Sequence, residues 1–461
     1  MKRLVLVLMV AAAATLACQG SAADSRLRVY ADLDRPAVLA GCEESVIIKV
    51  GLAGIPGAWA DERLPLNVCI VLDKSGSMAT NAKMDKAKQG AIGIVERLTE
   101  ADVLSVVVYD TTPRVLVWAQ HVRDREAIID AISTVWAGGN TALYGGVSYG
   151  AAEVRRNLSW KYENRIILLS DGLANVGPSS TGDLVLLGRS LADEGITVTT
   201  IGVGLDYNED LMTALAGESG GNAYFASSAR DLPEIFSQEI GEAMRVAARD
   251  VIIRIRCADG VRPVGILGRV GEISGEMMSV AIRTLCGDKD KYALFEVRVP
   301  AGSAGGSREI AEVEIGYADP ATNQRHTDLR KVTLAYEADR RVVDEKVNRQ
   351  VVKETALTRV SEAKREAVSL ADRGDVAAAC AVMKQGAFQL EKAAEQCDKD
   401  KEILGEAANC WSISSEIEAN DGLTKGGRKS VVNQVYTQTT QQNYVPDATQ
   451  DGQEDGKRGG K

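Results

Sequence analysis

Histidine is almost missing: His121 and His326 are the only two in 461 residues. Triads built on histidine, and most zinc sites, are therefore poor expectations. Aromatic residues make up only 5%, so the cores must be built from Val, Ile, Leu and Ala. No C-x-x-C pair occurs, which removes the usual redox and zinc signatures. Past the N-terminus, no run approaches the ~20 apolar residues that a membrane-spanning helix needs. Basic residues are outnumbered, 54 Lys and Arg against 64 Asp and Glu, for a formal charge of −10. Such a chain lacks the basic footprint that phosphate contacts need, so nucleic acid is not an expected partner. What is there is a globular mixture, 45% hydrophobic and 26% charged. Its length suits roughly two to four domains.

The first residues suggest a compartment. Lys2 and Arg3 precede an apolar run from Leu4 to Ala14, and small residues follow. This is the layout of a secretory signal peptide, expected over residues 1–23. Two processing sites compete. Ser21-Ala22-Ala23 would leave Asp24 as the first residue. Thr15-Leu16-Ala17-Cys18 resembles a bacterial lipobox with Cys18 lipidated, although Thr15 stands where Leu is usual and Leu16 where a smaller residue is usual. The protein is thus expected in the periplasm or at the cell surface, touching membrane at most through an N-terminal lipid. Export permits disulfides. Cys42, Cys69, Cys257, Cys286, Cys380, Cys397 and Cys410 are odd in number, so at least one is unpaired or pairs outside the chain. Cys69 lies in an apolar run and reads as a buried free thiol. Cys257 and Cys286 bracket a strand-rich stretch and are the candidate bridge.

Periodicity divides the rest. Residues 24–63 read as short strands with Pro and Gly turns. From 64 to 248, apolar strand runs (Leu66–Leu72, Val103–Tyr109, Arg114–Trp118, Arg165–Ser170, Thr197–Val203, Ala223–Ala226) alternate with helical patterns. That alternation predicts an α/β fold with a doubly wound, mostly parallel sheet covered on both faces. Residues 249–340 return to short strands as a β-rich module. Completion of that module by the N-terminal strands would make the α/β domain an insertion. Residues 341–420 are Ala/Glu/Lys-rich with helical periodicity. Within them Arg373-Gly374-Asp375 spells an integrin-recognition tripeptide, but Gly374 ending one helix and Asp375 capping the next explains it better. Residues 421–461 are rich in Gln, Asn, Thr, Gly and charge and read as a disordered tail; nothing decides whether Val431–Val445 forms a strand.

One constellation carries chemistry. The first strand of the α/β domain ends in Asp73-Lys74-Ser75-Gly76-Ser77. Asp73, Ser75 and Ser77 are spaced so that a loop leaving a strand turns three oxygen groups toward one point. The Gly-rich loop Gly138-Gly139-Asn140-Thr141 delivers a hydroxyl at a helix start, and the strand Ile166–Leu169 ends in Ser170-Asp171-Gly172. These are five hard oxygen donors, two of them anionic, at or near the C-terminal ends of strands, where open α/β sheets bind ligands. Such a set suits Mg²⁺, which takes six oxygens and keeps several waters.

The order D-x-S-x-S…T…D, in this strand-end setting, resembles the von Willebrand factor type A family and its metal-ion-dependent adhesion site. All five positions match: Asp73, Ser75, Ser77, Thr141 and Asp171. The resemblance covers about residues 64–248. It implies Ser75, Ser77 and Thr141 as direct ligands of Mg²⁺ (or Mn²⁺ or Ca²⁺), with Asp73 and Asp171 binding directly or through water. It also implies a protein partner that offers an acidic side chain to the cation. Asn175 and Gly177 read as loop-shaping residues. Enzyme readings find little support: no G-x-S-x-G elbow surrounds the serines, Lys74-Ser75 breaks a D-x-D phosphatase pattern, and the Gly-rich loop lacks G-K-[ST]. The expectation is a non-enzymatic, exported, metal-dependent binding module. The alternative is an envelope assembly scaffold that works without metal.

Overall fold

The computed structural model describes residues 27–55, 63–287 and 289–442. The signal-peptide expectation and Cys18 fall outside the described residues. The described residues open with strands β1 (Leu27–Leu33), β2 (Ala37–Leu39) and β3 (Glu44–Gly54). An α/β unit follows: β4 (Leu66–Asp73), α1 (Lys83–Arg97), β5 (Val103–Tyr109), β6 (Arg114–His121), α2 (Arg125–Ser133), α3 (Leu143–Arg155), β7 (Glu163–Ser170), α4 (Thr181–Asp193), β8 (Thr197–Val203), α5 (Glu209–Ser219), β9 (Ala223–Ala226) and α6 (Leu232–Ala243). Strands then resume as β10 (Val246–Cys257), β11 (Arg262–Leu267), β12 (Glu272–Ser274), β13 (Met277–Cys286), β14 (Asp290–Val299), β15 (Ser307–Ala318) and β16 (Arg325–Glu337). Helices α7 (Arg340–Glu345), α8 (Arg349–Asp372), α9 (Val376–Gln396), α10 (Lys401–Asn420) and α11 (Lys425–Thr440) complete the described residues.

The α/β sheet has the order β6-β5-β4-β7-β8-β9. Every pair is parallel except β5 with β6. Strands β4, β5, β7 and β8 are buried along their whole length, because helices cover both faces. Chain order runs outward from β4 in both directions, so the crevice between β4 and β7 is a topological switch point. Helix α3 comes close to the sheet through glycine: a methyl group on Gly146 or Gly150 would collide with Tyr109 or Val71, respectively.

The strands on either side of this unit form one β-sandwich. One sheet is β1-β3-β14-β11 and the other is β12-β13-β10-β15-β16-β2. Val46, Ile48, Val50, Phe295 and Val297 of the first meet Ile253, Ile255, Val280, Val313 and Leu334 of the second in one core. The α/β unit is therefore inserted between β3 and β10. Buried charge ties the two together: Arg165 at the start of β7 reaches Glu163 and Glu239, while Arg249 of β10 reaches Glu163 at 2.8 Å.

Two expectations need correction. Cys257 and Cys286 do not form a bridge, and all seven described cysteines are free thiols. In the antiparallel β10–β13 ladder Cys286 lies opposite Val246, whereas Cys257 follows Arg256, which pairs with Met277. The two sulfurs thus sit at opposite ends of the ladder, roughly 35 Å apart at strand rise. A disulfide requires Cα atoms within ~7 Å. The second correction concerns the tail. Residues 425–440 are neither disordered nor a strand but helix α11, whose Val431, Val435 and Tyr436 are buried. Its polar, Gly- and Thr-containing sequence has weak helix propensity. Tertiary contacts supply the order: the Tyr436 hydroxyl donates to Gly221 O at 2.7 Å, and Lys429 Nζ donates to Tyr207 O at 2.6 Å. The Arg-Gly-Asp triplet is structural, since Gly374 has φ +80° and Asp375 caps α9 by accepting from Ala378 N.

Candidate metal centre

Strand β4 carries Asp73 to the C-terminal edge of the sheet, and the chain then turns sharply. The Ser75 amide donates to Asp73 Oδ1 at 2.8 Å, which folds the loop back over the strand end. The Ser170 hydroxyl, at the end of β7, donates to Asp73 Oδ2 at 3.0 Å. Ser75 Oγ and Ser77 Oγ lie 3.1 Å apart, and Ser77 Oγ donates to Asp171 Oδ1 at 2.6 Å. The Gly-rich loop is stitched to this turn by its backbone: Gly138 N donates to Lys74 O at 2.6 Å, and Gly76 N to Gly139 O at 3.0 Å. Gly139 has φ +88°, and a Cβ there would also meet Asp110 at 2.9 Å, so only glycine suits this crossing.

Thr141 is held by its main chain. Its N–H donates to Asn175 Oδ1 at 2.9 Å, and its carbonyl accepts from Asn175 N at 3.1 Å and Val176 N at 3.3 Å. Asn175 thus shapes the loop. The Thr141 hydroxyl forms no hydrogen bond with any described residue. A Cβ placed on Gly172 would lie 3.3 Å from Thr141 Oγ1 and 3.4 Å from Ser77 Oγ. Gly172 therefore leaves open the space those two hydroxyls face. All five residues singled out by the sequence are brought to this one spot.

Burial sets the electrostatics. Asp73 and Asp171 are both inaccessible to solvent. Burial raises the Asp73 carboxyl to about 6, opposed by the hydrogen bonds from Ser75 and reinforced by the Asp171 charge. One positive group answers this pair directly: Lys83 Nζ, at the first residue of α1, stands 2.7 Å from Asp171 Oδ2. Lys74 and Asp110 pair at the rim. Lys83 and Ser170 were not among the residues assigned to the site from sequence. Lys83 had a signal, since a lysine opening a helix opposes the helix dipole.

The donors fit a divalent cation. Three neutral hydroxyls and two carboxylates are hard oxygen ligands, and the Thr141 hydroxyl has no competing partner among the described residues. Among the described residues no group of three or more His, Cys, Asp or Glu is placed to hold a metal. A cation here would lean on the hydroxyls and keep water in its shell. The histidines are elsewhere. His121 pairs with Val103 at the far end of β5 from Asp73, and His326 stacks on Tyr317 in the sandwich at 5.3 Å. No serine–histidine pair arises from these placements.

Comparison with known proteins agrees with the fold. Residues 67–238 match the family model of the von Willebrand factor type A domain. An uncharacterized protein of Synechocystis sp. is 29% identical over 275 residues, which cover 57% of this chain and 64% of that protein. The chain therefore spans less than two thirds of that relative's length. Among solved structures, a von Willebrand factor type A protein from Catenulispora acidiphila superposes with a TM-score of 0.66 at 16% identity, covering 89% of this chain and 96% of that one. The ArnB paralog VWA2 from Sulfolobus acidocaldarius gives 0.58 at 17% identity, covering 90% and 98%. At these identities the likeness establishes the fold alone. Residues 67–238 thus match the von Willebrand factor type A domain and have its fold, inserted in a β-sandwich and backed by a helical bundle.

Proposed function

We propose that this is an exported, non-enzymatic protein-binding module in which a divalent cation, Mg²⁺ by the hardness of its donors, accepts a carboxylate from a partner protein. Von Willebrand factor type A domains generally mediate protein–protein interaction, often with a metal. The observation that carries the reading is the meeting of Ser75, Ser77 and Thr141 hydroxyls with Asp73 and Asp171 at the switch point, with the Thr141 hydroxyl unengaged by any described residue. A cation held largely by neutral oxygens and water keeps much of its charge, so an anionic side chain is the natural occupant of its open position. Ser75, Ser77 and Thr141 would hold the ion, and Asp73 and Asp171 would balance it directly or through water. Residues 1–23 would direct export, and Cys18 would tether the protein if lipidated.

The competing reading is a metal-independent scaffold of the cell envelope. The packing of α8 and α11 against the sandwich and the α/β unit gives it a specific basis. A pull-down from an envelope extract separates the two. The mature protein is used in Mg²⁺, in EDTA, and as Asp73→Ala in Mg²⁺. A partner captured only in the first condition supports the cation-dependent reading. Equal capture in all three refutes it and favours the scaffold.

A further inference from the structure

Lys83 stands where local physics disfavours it. It is the first residue of α1, at the positive end of the helix dipole, where a cation is destabilising. Its N-cap, Ala82, supplies no side-chain hydrogen bond. The chain enters through Asn81 and Ala82, both at φ +54°. Left-handed alanine in particular is strained, and strain of this kind persists where the surroundings demand it. The lysine is also buried, at 8% exposure.

Its surroundings explain the placement. Lys83 Nζ lies 2.7 Å from Asp171 Oδ2, while Asp171 Oδ1 accepts the Ser77 hydroxyl at 2.6 Å. Both oxygens of Asp171 are thus engaged. The loop after β8 closes over the ammonium, because a Cβ on Gly204 would sit 3.6 Å from Nζ. Asp73, the second carboxylate, is served by Ser75 N and Ser170 Oγ and pairs with no cationic side chain among the described residues.

We infer that Lys83 is a positioning residue that holds Asp171 and keeps the cation site one negative charge short, so that a partner's carboxylate completes it. This rests on the cation reading above. A divalent ion facing Asp73 and Asp171 alone would be charge-balanced and would gain little from a further anion. With the Lys83 ammonium in place the same site carries one surplus positive charge. Lys83 therefore weakens cation binding and strengthens carboxylate capture, and it shares Asp171 with Ser77 so that the Ser77 oxygen lone pairs stay turned to the ion.

The test uses the full chain with Mn²⁺ as the probe, titrated by electron paramagnetic resonance, and acetate as the simplest carboxylate. In the wild type, acetate should tighten Mn²⁺ binding. Lys83→Met should bind Mn²⁺ at least about tenfold more tightly than wild type, the direction and scale expected when a like charge a few ångströms away is removed. Its Mn²⁺ affinity should no longer respond to acetate. Lys83→Arg should restore wild-type behaviour, which a merely structural role would not predict. Lys83→Gln, which keeps a donor for Asp171, serves as the second neutral variant should the methionine variant lose its native circular dichroism. Unchanged Mn²⁺ affinity and acetate response in a folded neutral variant overturn the inference. Absence of Mn²⁺ binding by the wild type would instead overturn the cation reading itself.

Discussion

Replacing Thr141 with valine separates metal binding from folding. Thr141 is buried, but its place in the fold is fixed by main-chain bonds to Asn175 and Val176, none of which uses the hydroxyl. Valine has nearly the same shape. The metal-free variant should therefore unfold within about 1 kcal/mol of the wild type, the scale of one modest hydrogen-bonding change. Cation binding should respond very differently. Outer-shell partners of metals already cost ~10–100-fold when removed, and Thr141 would be a direct donor. At a Mg²⁺ concentration about a hundred times the wild-type Kd, the ion adds ~2.7 kcal/mol to stability. For a unit of this size that raises Tm by roughly 5–10 °C. A hundredfold loss of affinity leaves ~0.4 kcal/mol at the same concentration, a shift of about 1 °C. Differential scanning calorimetry with and without Mg²⁺ reads both quantities. An equal Mg²⁺ shift in wild type and variant would show that the hydroxyl is no ligand. A metal-free variant destabilised by more than about 2 kcal/mol would show that it is structural.

Three further outcomes follow from buried charge. Glu239 accepts from Thr199, Asn222 and Tyr224 and pairs with Arg165; Glu239→Ala should cost about 3–5 kcal/mol in urea unfolding, and the Arg165→Met/Glu239→Met double variant less. A loss under 1 kcal/mol for the single variant would contradict this. Lys429 fastens α11 to the start of α5 and the loop before it, through Tyr207 O at 2.6 Å, the Tyr207 ring at 4.2 Å and the Glu209 carboxylate. Lys429→Met should weaken this clasp by about 2 kcal/mol, seen as roughly thirtyfold faster hydrogen exchange in α11 with the β4 and β7 amides unaffected; unchanged exchange in α11 would count against the clasp. Burial raises the Asp34 carboxyl to about 6, against the Ile47 amide and Arg35. A folded pKa above the unfolded one gives stability that is present below pH ~4 and lost as pH rises through 6, roughly 3 kcal/mol in all. The stability of Asp34→Asn relative to wild type should accordingly rise between pH 4 and pH 8, and a fall would refute the assignment.

The sequence determined the α/β unit and the residues at its candidate site, and the reason is locality. Buried parallel strands read as unbroken Val/Ile/Leu runs, and each of the five donors lies within a few residues of such a run's end or at a helix start. Strand direction then delivers Asp73 and Ser170-Asp171 to one edge without further information. The nonlocal features were decided by tertiary structure. Cys257 and Cys286 are neighbours by strand pairing only in the sense that they share a ladder, and its antiparallel register drives them to opposite ends. Helix α11 has little intrinsic preference for its shape and gains it from burying Val431, Val435 and Tyr436 across the α/β unit and the helices. The unfavourable place of Lys83 at a helix start is visible locally, but its partner is not, because Asp171 lies 88 residues away. Only the closure of β4 against β7 brings Asp171 to it, since the energy of a buried ion pair depends on where two chain segments meet and on how much water they exclude.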